Sequence, residues 1–192
     1  SATSTVTGLN AGASVTLRWT VTNGACTSFD DVVLTNSATP PVAAAGSDQT
    51  LCNTSTFTLA GNVAGPGTGT WTIQGAANGA VITNINSATT TVTGLTAGSS
   101  VTLRWTIANG SCSTFDDVVL TNSASPVASN AGADQELCNT ANFTLAATAP
   151  APVTASGLWT IQGAANGASI TDNTSATSTV TGLNAGASVT LR

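Results

Sequence analysis

The eighteen residues Ser1 to Arg18, SATSTVTGLNAGASVTLR, return unchanged as Ser175 to Arg192, and a diverged copy, SATTTVTGLTAGSSVTLR, runs from Ser87 to Arg104. A self-similar chain repeats one folding unit, so the period constrains the architecture before any single residue does. That period is 86 residues from Arg18 to Arg104, from Cys26 to Cys112 and from Cys52 to Cys138. It is 88 from Trp71 to Trp159, which places two inserted residues just before Trp159. Such a period is too long for one turn of a solenoid and suits one small domain. The matching ends also raise the expectation that the chain is a window on a longer array, cut inside a domain.

Within the repeat, Val15, Leu17, Trp19 and Val21 fall on one side of SVTLRWTV, with Thr16, Arg18, Thr20 and Thr22 on the other. A period of two is that of a half-buried antiparallel strand. Val101, Leu103, Trp105 and Ile107 repeat the pattern. Asn109-Gly110 then predicts a hairpin turn into a second strand around 116–121, because both residues accept positive φ. Shorter strands are expected at 57–60, 70–73, 80–83 and 89–93. No segment carries a 3.6-residue period with caps, so essentially no helix is expected. NSATPPVAAAGSDQ (36–49) and NSASPVASNAGADQ (122–135) read as punctuation, since proline fixes φ and has no N–H to give a ladder. The domains are then the C-terminal part of one repeat (1–37), a complete repeat (38–123) and the N-terminal part of another (124–192). About seven short strands per repeat is the number of an immunoglobulin-like Greek-key sandwich, so the fold class expected is all-β, a tandem of antiparallel sandwiches.

Composition removes most chemistry. The chain has no His, Lys, Tyr or Met, and charged residues make up 6% against about a quarter in ordinary domains. Lysine-based Schiff bases and Lys–Asn isopeptide crosslinks are excluded by that count. A net charge of -5 with Arg18, Arg104 and Arg192 as the only cations argues against nucleic acid or anionic lipid as a partner. No apolar run reaches the length that spans a bilayer, so membrane insertion is not expected. With 41% hydrophobic residues in regular alternation, the chain is not of disordered type. Four cysteines at a fixed phase, in units too small for a large core, read as disulfides of an oxidising compartment; zinc is the poorer reading without His or a CxxC pair.

Four groups of residues merit weighing as sites. Trp71 and Trp159 sit on the strand that carries the core tryptophan of such sandwiches, and Trp19 and Trp105 are expected to face inward, as packing rather than as a sugar-stacking platform. Asp30, Asp31, Asp48, Asp116, Asp117 and Asp134 gather in sequence near the domain junctions, a thin candidate set for calcium, which takes six to eight oxygens. The competing reading is a cross-strand ion pair of Arg104 with Asp116 or Asp117. Catalysis by the paired aspartates is not expected, because neighbours on a strand point to opposite faces and leave no cleft between two carboxylates. No cofactor is expected. The loop QGAANGA, at 74–80 and 162–168, is almost unchanged between copies and is the candidate surface for a glycan or protein ligand.

The pattern PVAAAGSDQTLC, FTLAG, GTWTI, TVTGLTAGSSVTLRWTIANGSC, DDVVLTN resembles the PKD-like and immunoglobulin-like repeats of very large surface adhesins of Bacteroidota. The AGxDQ entry, the strand tryptophan and the NGxC hairpin carry the resemblance, which covers the whole chain. It implies a secreted array at the cell surface, exported by the type IX route and used in attachment, gliding or prey capture. Four cysteines allow three pairings. Either Cys52 joins Cys112 and closes the complete repeat, leaving Cys26 and Cys138 to pair outside these residues, or Cys26–Cys52 and Cys112–Cys138 bridge junctions. The first is the expectation, since a repeat that closes its own disulfide propagates most readily and similar sandwiches carry this spacing. The functional expectation is a non-enzymatic stalk of an extracellular adhesin or filament, with identical chains associating side by side and target contact made by other domains. The alternative is a ligand-binding module.

Overall fold

In the computed structural model, which describes residues 3–192, the alternating segments form long ladders and the chain divides into two compact units, Ser1–Ser123 and Ala124–Arg192. The first unit opens with a hairpin of β1 (Ala13–Asn23) and β2 (Cys26–Asn36), followed by β3 (Gln49–Cys52), β4 (Phe57–Thr58), β5 (Thr68–Gln74), β6 (Val81–Ile82), β7 (Thr91–Thr93), β8 (Ser99–Asn109) and β9 (Cys112–Ser123). Residues 38–123 fold as a sandwich of two sheets, one ordered β3-β9-β8-β5 and the other β4-β7-β6. β3 runs parallel to β9 and the remaining pairs are antiparallel. That division of strands, with a parallel edge strand beside the last one, is the immunoglobulin-like arrangement. No helix occurs among the described residues.

The core lies where the alternation points it. Val101, Leu103, Trp105 and Ile107 of β8 and Val118 and Leu120 of β9 are buried in one cluster with Phe57 and Val92 of the facing sheet and with Leu59 and Leu95, which follow its strands. Trp71 and Trp105 are direct cross-strand partners on β5 and β8. Their ring centroids lie 5.0 Å apart with the planes tilted by 38°, a geometry worth about 0.5–1.5 kcal/mol beyond area burial. Gly69, next to Trp71 in space, is required there: a Cβ at this position would run into the Trp105 ring. The Trp71 indole N–H donates to the carbonyl oxygens of Ser87 (3.1 Å) and Ala88 (3.3 Å). Among the described residues, the buried Trp105 indole N–H has no hydrogen-bond partner, a cost of about 1–3 kcal/mol that the packing around the ring must exceed.

Two expectations are corrected and one strand is added. Trp19 does not face a core: it is 55% exposed, because no second sheet covers the β1–β2 hairpin among the described residues. The hairpin turn is displaced by one residue. Asn109 pairs with Cys112, so the two turn residues are Gly110 and Ser111, of which only Gly110 has positive φ (60°). A glycine in the first turn position is what a two-residue turn of this hand requires. Gln49–Cys52 is a strand that the alternation did not announce.

The second unit contains β10 (Phe143–Thr144), β11 (Ile161–Gln162), β12 (Ser169–Ile170), β13 (Thr179–Thr181) and β14 (Thr190–Leu191). They pair as β10-β13-β12 and β11-β14, with Leu145, Trp159, Ala168 and Val180 as a small core. The indole of Trp159 donates to the Ser175 carbonyl at 3.0 Å, as Trp71 does to Ser87 one period earlier.

Candidate functional site

The groups with most chemical potential are the arginines, the acids and the cysteines, and the strands decide where each one points. On β8, Arg104 alternates away from the core and stands directly across from Asp117 on β9. Its Nε and Nη2 donate to the two carboxylate oxygens of Asp117 at 2.7 and 2.8 Å, and its guanidinium lies 3.8 Å from the centre of the Phe115 ring. The first hairpin reproduces the cluster with Arg18, Asp31 and Phe29: the two hydrogen bonds are 2.8 and 3.0 Å and the ring is 4.0 Å away. The guanidinium holds each carboxyl below its ordinary range and is itself held above its own. Both pairs are exposed enough for solvent to screen them, so they fix the hairpin register more than they stabilise it.

Asp116 points to the other face, as its position next to Asp117 requires, and accepts a hydrogen bond from the Ala45 N–H at 2.8 Å. Asp48 accepts from the Val119 N–H at 2.8 Å. The six candidate calcium ligands are thus not gathered: Asp31 and Asp117 serve arginines and Asp48 and Asp116 serve backbone amides. Among the described residues no three of His, Cys, Asp or Glu, Asp30 and Asp134 included, come together as a metal would need. Asp172 serves a turn as well. The Thr174 hydroxyl and N–H donate to it at 2.7 and 2.9 Å and hold its carboxyl below the ordinary range.

The loop QGAANGA owes its sameness to backbone geometry. Asn78 and Gly79 have positive φ (48° and 84°), and a Cβ on Gly79 would fall 2.5 Å from the Gly94 carbonyl oxygen. The Asn78 side chain donates to the Ser100 carbonyl at 2.7 Å. The second copy repeats this with Asn166 and Ser188 at 2.8 Å. Once these constraints are met, the loop presents little more than the methyl groups of Ala76 and Ala77.

A cleft of about 590 Å³ in the second unit is lined by Ala147, Gly157, Trp159 and Leu191 among others. One period earlier these positions are Gly61, Gly69, Trp71 and Leu103, the neighbours of Trp105. The cleft thus occupies the place that the Trp105 ring fills in the complete repeat.

No protein-family model and no curated protein matches the chain. Among solved structures it is similar to the titin domains Z1Z2 in complex with telethonin (14% identity, TM-score 0.36, covering 77% of this chain and 81% of that one). It is also similar to the insect immune protein hemolin (13%, 0.38, 88% and 48%) and to domains 4–9 of the surface layer protein SbsC (18%, 0.27, 93% and 33%). The chain thus spans about half of hemolin and a third of the SbsC segment. Likenesses this loose carry no argument, and the fold rests on the strand order described above.

The disulfide expected between Cys52 and Cys112 does not form; all four cysteines are free. Cys52 lies beside Ser123, its partner in the parallel β3–β9 ladder, whereas Cys112 opens β9 eleven residues earlier. At about 3.3 Å per residue that is roughly 36 Å, against the 4.4–6.8 Å between Cα atoms that a disulfide spans. Cys26–Cys52 fails likewise. Cys26 is at the tip of the first hairpin, ten residues along β2 from Asn36, and Cys52 is at the end of the sandwich farthest from residue 38. The overlooked signal was strand direction: a parallel β3 carries its last residue to the end of β9 and not to its beginning.

Proposed function

We propose that this chain is a structural, non-enzymatic stalk segment of a large extracellular adhesin or filament, in which identical chains pack side by side. The observation that carries the reading is the way one repeat runs into the next within residues 13–123. The linker Ser37–Ala38 leaves β2 and is taken up at once by the following sandwich, whose Asn109 side chain donates to the Ala38 carbonyl at 2.9 Å. A module that exists to extend a stalk needs such a gripped junction, and Arg18, Arg104 and most of the acids are already engaged within the fold. The surface supports side-by-side packing: it is weakly charged and bares Val42, Val63 and Val81, so like surfaces approach with little repulsion or desolvation cost. No helix of the described residues is long and apolar enough to cross a membrane. Export by the type IX route and contact with a cell or prey surface through other domains belong to the same proposal, and rest on the resemblance of the AGxDQ, tryptophan and NGxC motifs. Sedimentation of the chain across a range of concentrations, with electron microscopy of the same samples, tests it. Laterally associated multimers with regular spacing are expected, and single monomeric strands at every concentration would end the filament reading.

A further inference from the structure

The cysteines that fail to meet within a repeat are brought to one place by the succession of repeats. Cys52 ends β3 beside Ser123, and the Asn53 N–H donates to the Ser123 carbonyl at 2.8 Å. Ser123 is the residue one period after Ser37, by the same 86 residues that separate Cys26 from Cys112. In an array, the cysteine ending β3 of the earlier repeat therefore lies beside Ser37. Ser37 in turn touches the β8–β9 turn of the later repeat: a Cβ on Gly110 would collide with its hydroxyl oxygen. Cys112 is two residues beyond that glycine.

Its direction is fixed by its neighbours on the same face of β9. Asp116 accepts from Ala45, and Thr114 accepts from Ala43 at 3.0 Å and donates to the Pro41 carbonyl at 2.8 Å. Since Thr114 sits between Pro41 and Ala43, the same register carries Cys112, two residues further back, alongside the linker at Pro40. Both thiols thus belong to the same junction, one from each side.

We propose that successive repeats are stapled by a disulfide between the cysteine ending β3 of one repeat and the cysteine opening β9 of the next. Two thiols lose two protons and two electrons, and a disulfide oxidant such as oxidised glutathione takes up the electrons and becomes two thiols. The staple is independent of side-by-side packing. It also accounts for the free cysteines here, because Cys26, Cys52, Cys112 and Cys138 include no pair in that relation.

The shared eighteen residues supply the test. Two copies are fused as residues 1–192 followed by 19–192, so that the repeat ahead of the second copy's complete one is built from residues 124–192 and 19–37. Its β3 cysteine is the first copy's Cys138. One variant keeps only that cysteine and Cys112 of the second copy, with every other cysteine changed to serine. A companion keeps only Cys52 and Cys112 of the second copy. After refolding in a glutathione redox buffer, with tryptophan emission reporting a buried core, the first variant is expected to lose both thiols as an intramolecular disulfide in a monomer. The companion is expected to keep both. Free thiols or only intermolecular links in the first variant, or closure in the companion, would overturn the proposal.

Discussion

The β1–β2 and β8–β9 hairpins are nearly one sequence in two circumstances. Each has the same eleven-pair register, from Ala13 with Asn36 to Asn23 with Cys26 and from Ser99 with Asn122 to Asn109 with Cys112, and each carries the same Arg–Asp–Phe cluster. Yet Trp19 is 55% exposed where Trp105 is 1%, and Val21 is 52% exposed where Ile107 is fully buried. The ladder, the turn and the ion pair are therefore properties of the hairpin itself. The core is not; it exists only where residues 43–95 of the same repeat lie against the hairpin. The second unit is the reverse case: among the described residues it has the N-terminal strands of a repeat, and no hairpin like β8–β9 lies against them.

The largest effect expected is completion of that half. Appending residues 19–37 after Arg192 supplies the tryptophan and the full ladder, and calorimetry is expected to show a second cooperative transition close to that of the complete repeat. An unchanged thermogram would mean that the hairpin does not seat there. Next, Trp105→Ala is expected to cost about 3–5 kcal/mol in urea unfolding, while Trp19→Ala costs under about 0.5 kcal/mol. Equal losses would break the comparison. Gly69→Ala, which pushes a methyl group into the Trp105 ring, is expected to cost about 1–3 kcal/mol. Gly157→Ala, whose Cβ would meet only the edge of Pro150 at 3.2 Å, is expected to cost little.

The smallest effect is at Asp117. Its carboxyl is held low by the hydrogen bonds from Arg104, so its contribution is complete above the unfolded carboxylate value of about 3.9 and is lost as pH falls through the lower folded value. Being screened, it is expected to amount to less than about 1 kcal/mol. Asp117→Asn should accordingly flatten the acid limb of a stability profile and leave the core's unfolding cooperativity intact.

Much of this was legible in the chain. Period-two alternation located both long ladders and chose Trp105, Leu103 and Val101 for the interior, because strand geometry translates sequence parity directly into a face. The same rule misjudged Trp19, since parity says which way a side chain points and nothing about whether another sheet meets it. The β3 strand escaped notice because its partner β9 lies about seventy residues on and its own side chains are mostly exposed. The cysteine pairing failed through that omission. As for the acids, spacing singled out Arg104 and the aspartate pair but could not separate Asp116 from Asp117. Register decided it, putting one carboxylate under the guanidinium and the other against the Ala45 amide.

The parallel pairing of β3 with β9 also sets how a repeat would answer a pull on its two ends. Such a pull would enter the β3–β9 ladder at Gln49 and leave it at Ser123, at opposite ends of two strands that run side by side from Gln49 and Leu120 to Cys52 and Ser123. Pulling the two ends apart slides one strand along the other, so the bonds between them are strained together instead of opening one after another. A repeat anchored in this way resists stretching as a lap joint resists shear, while the same ladder offers little resistance to being peeled from its edge.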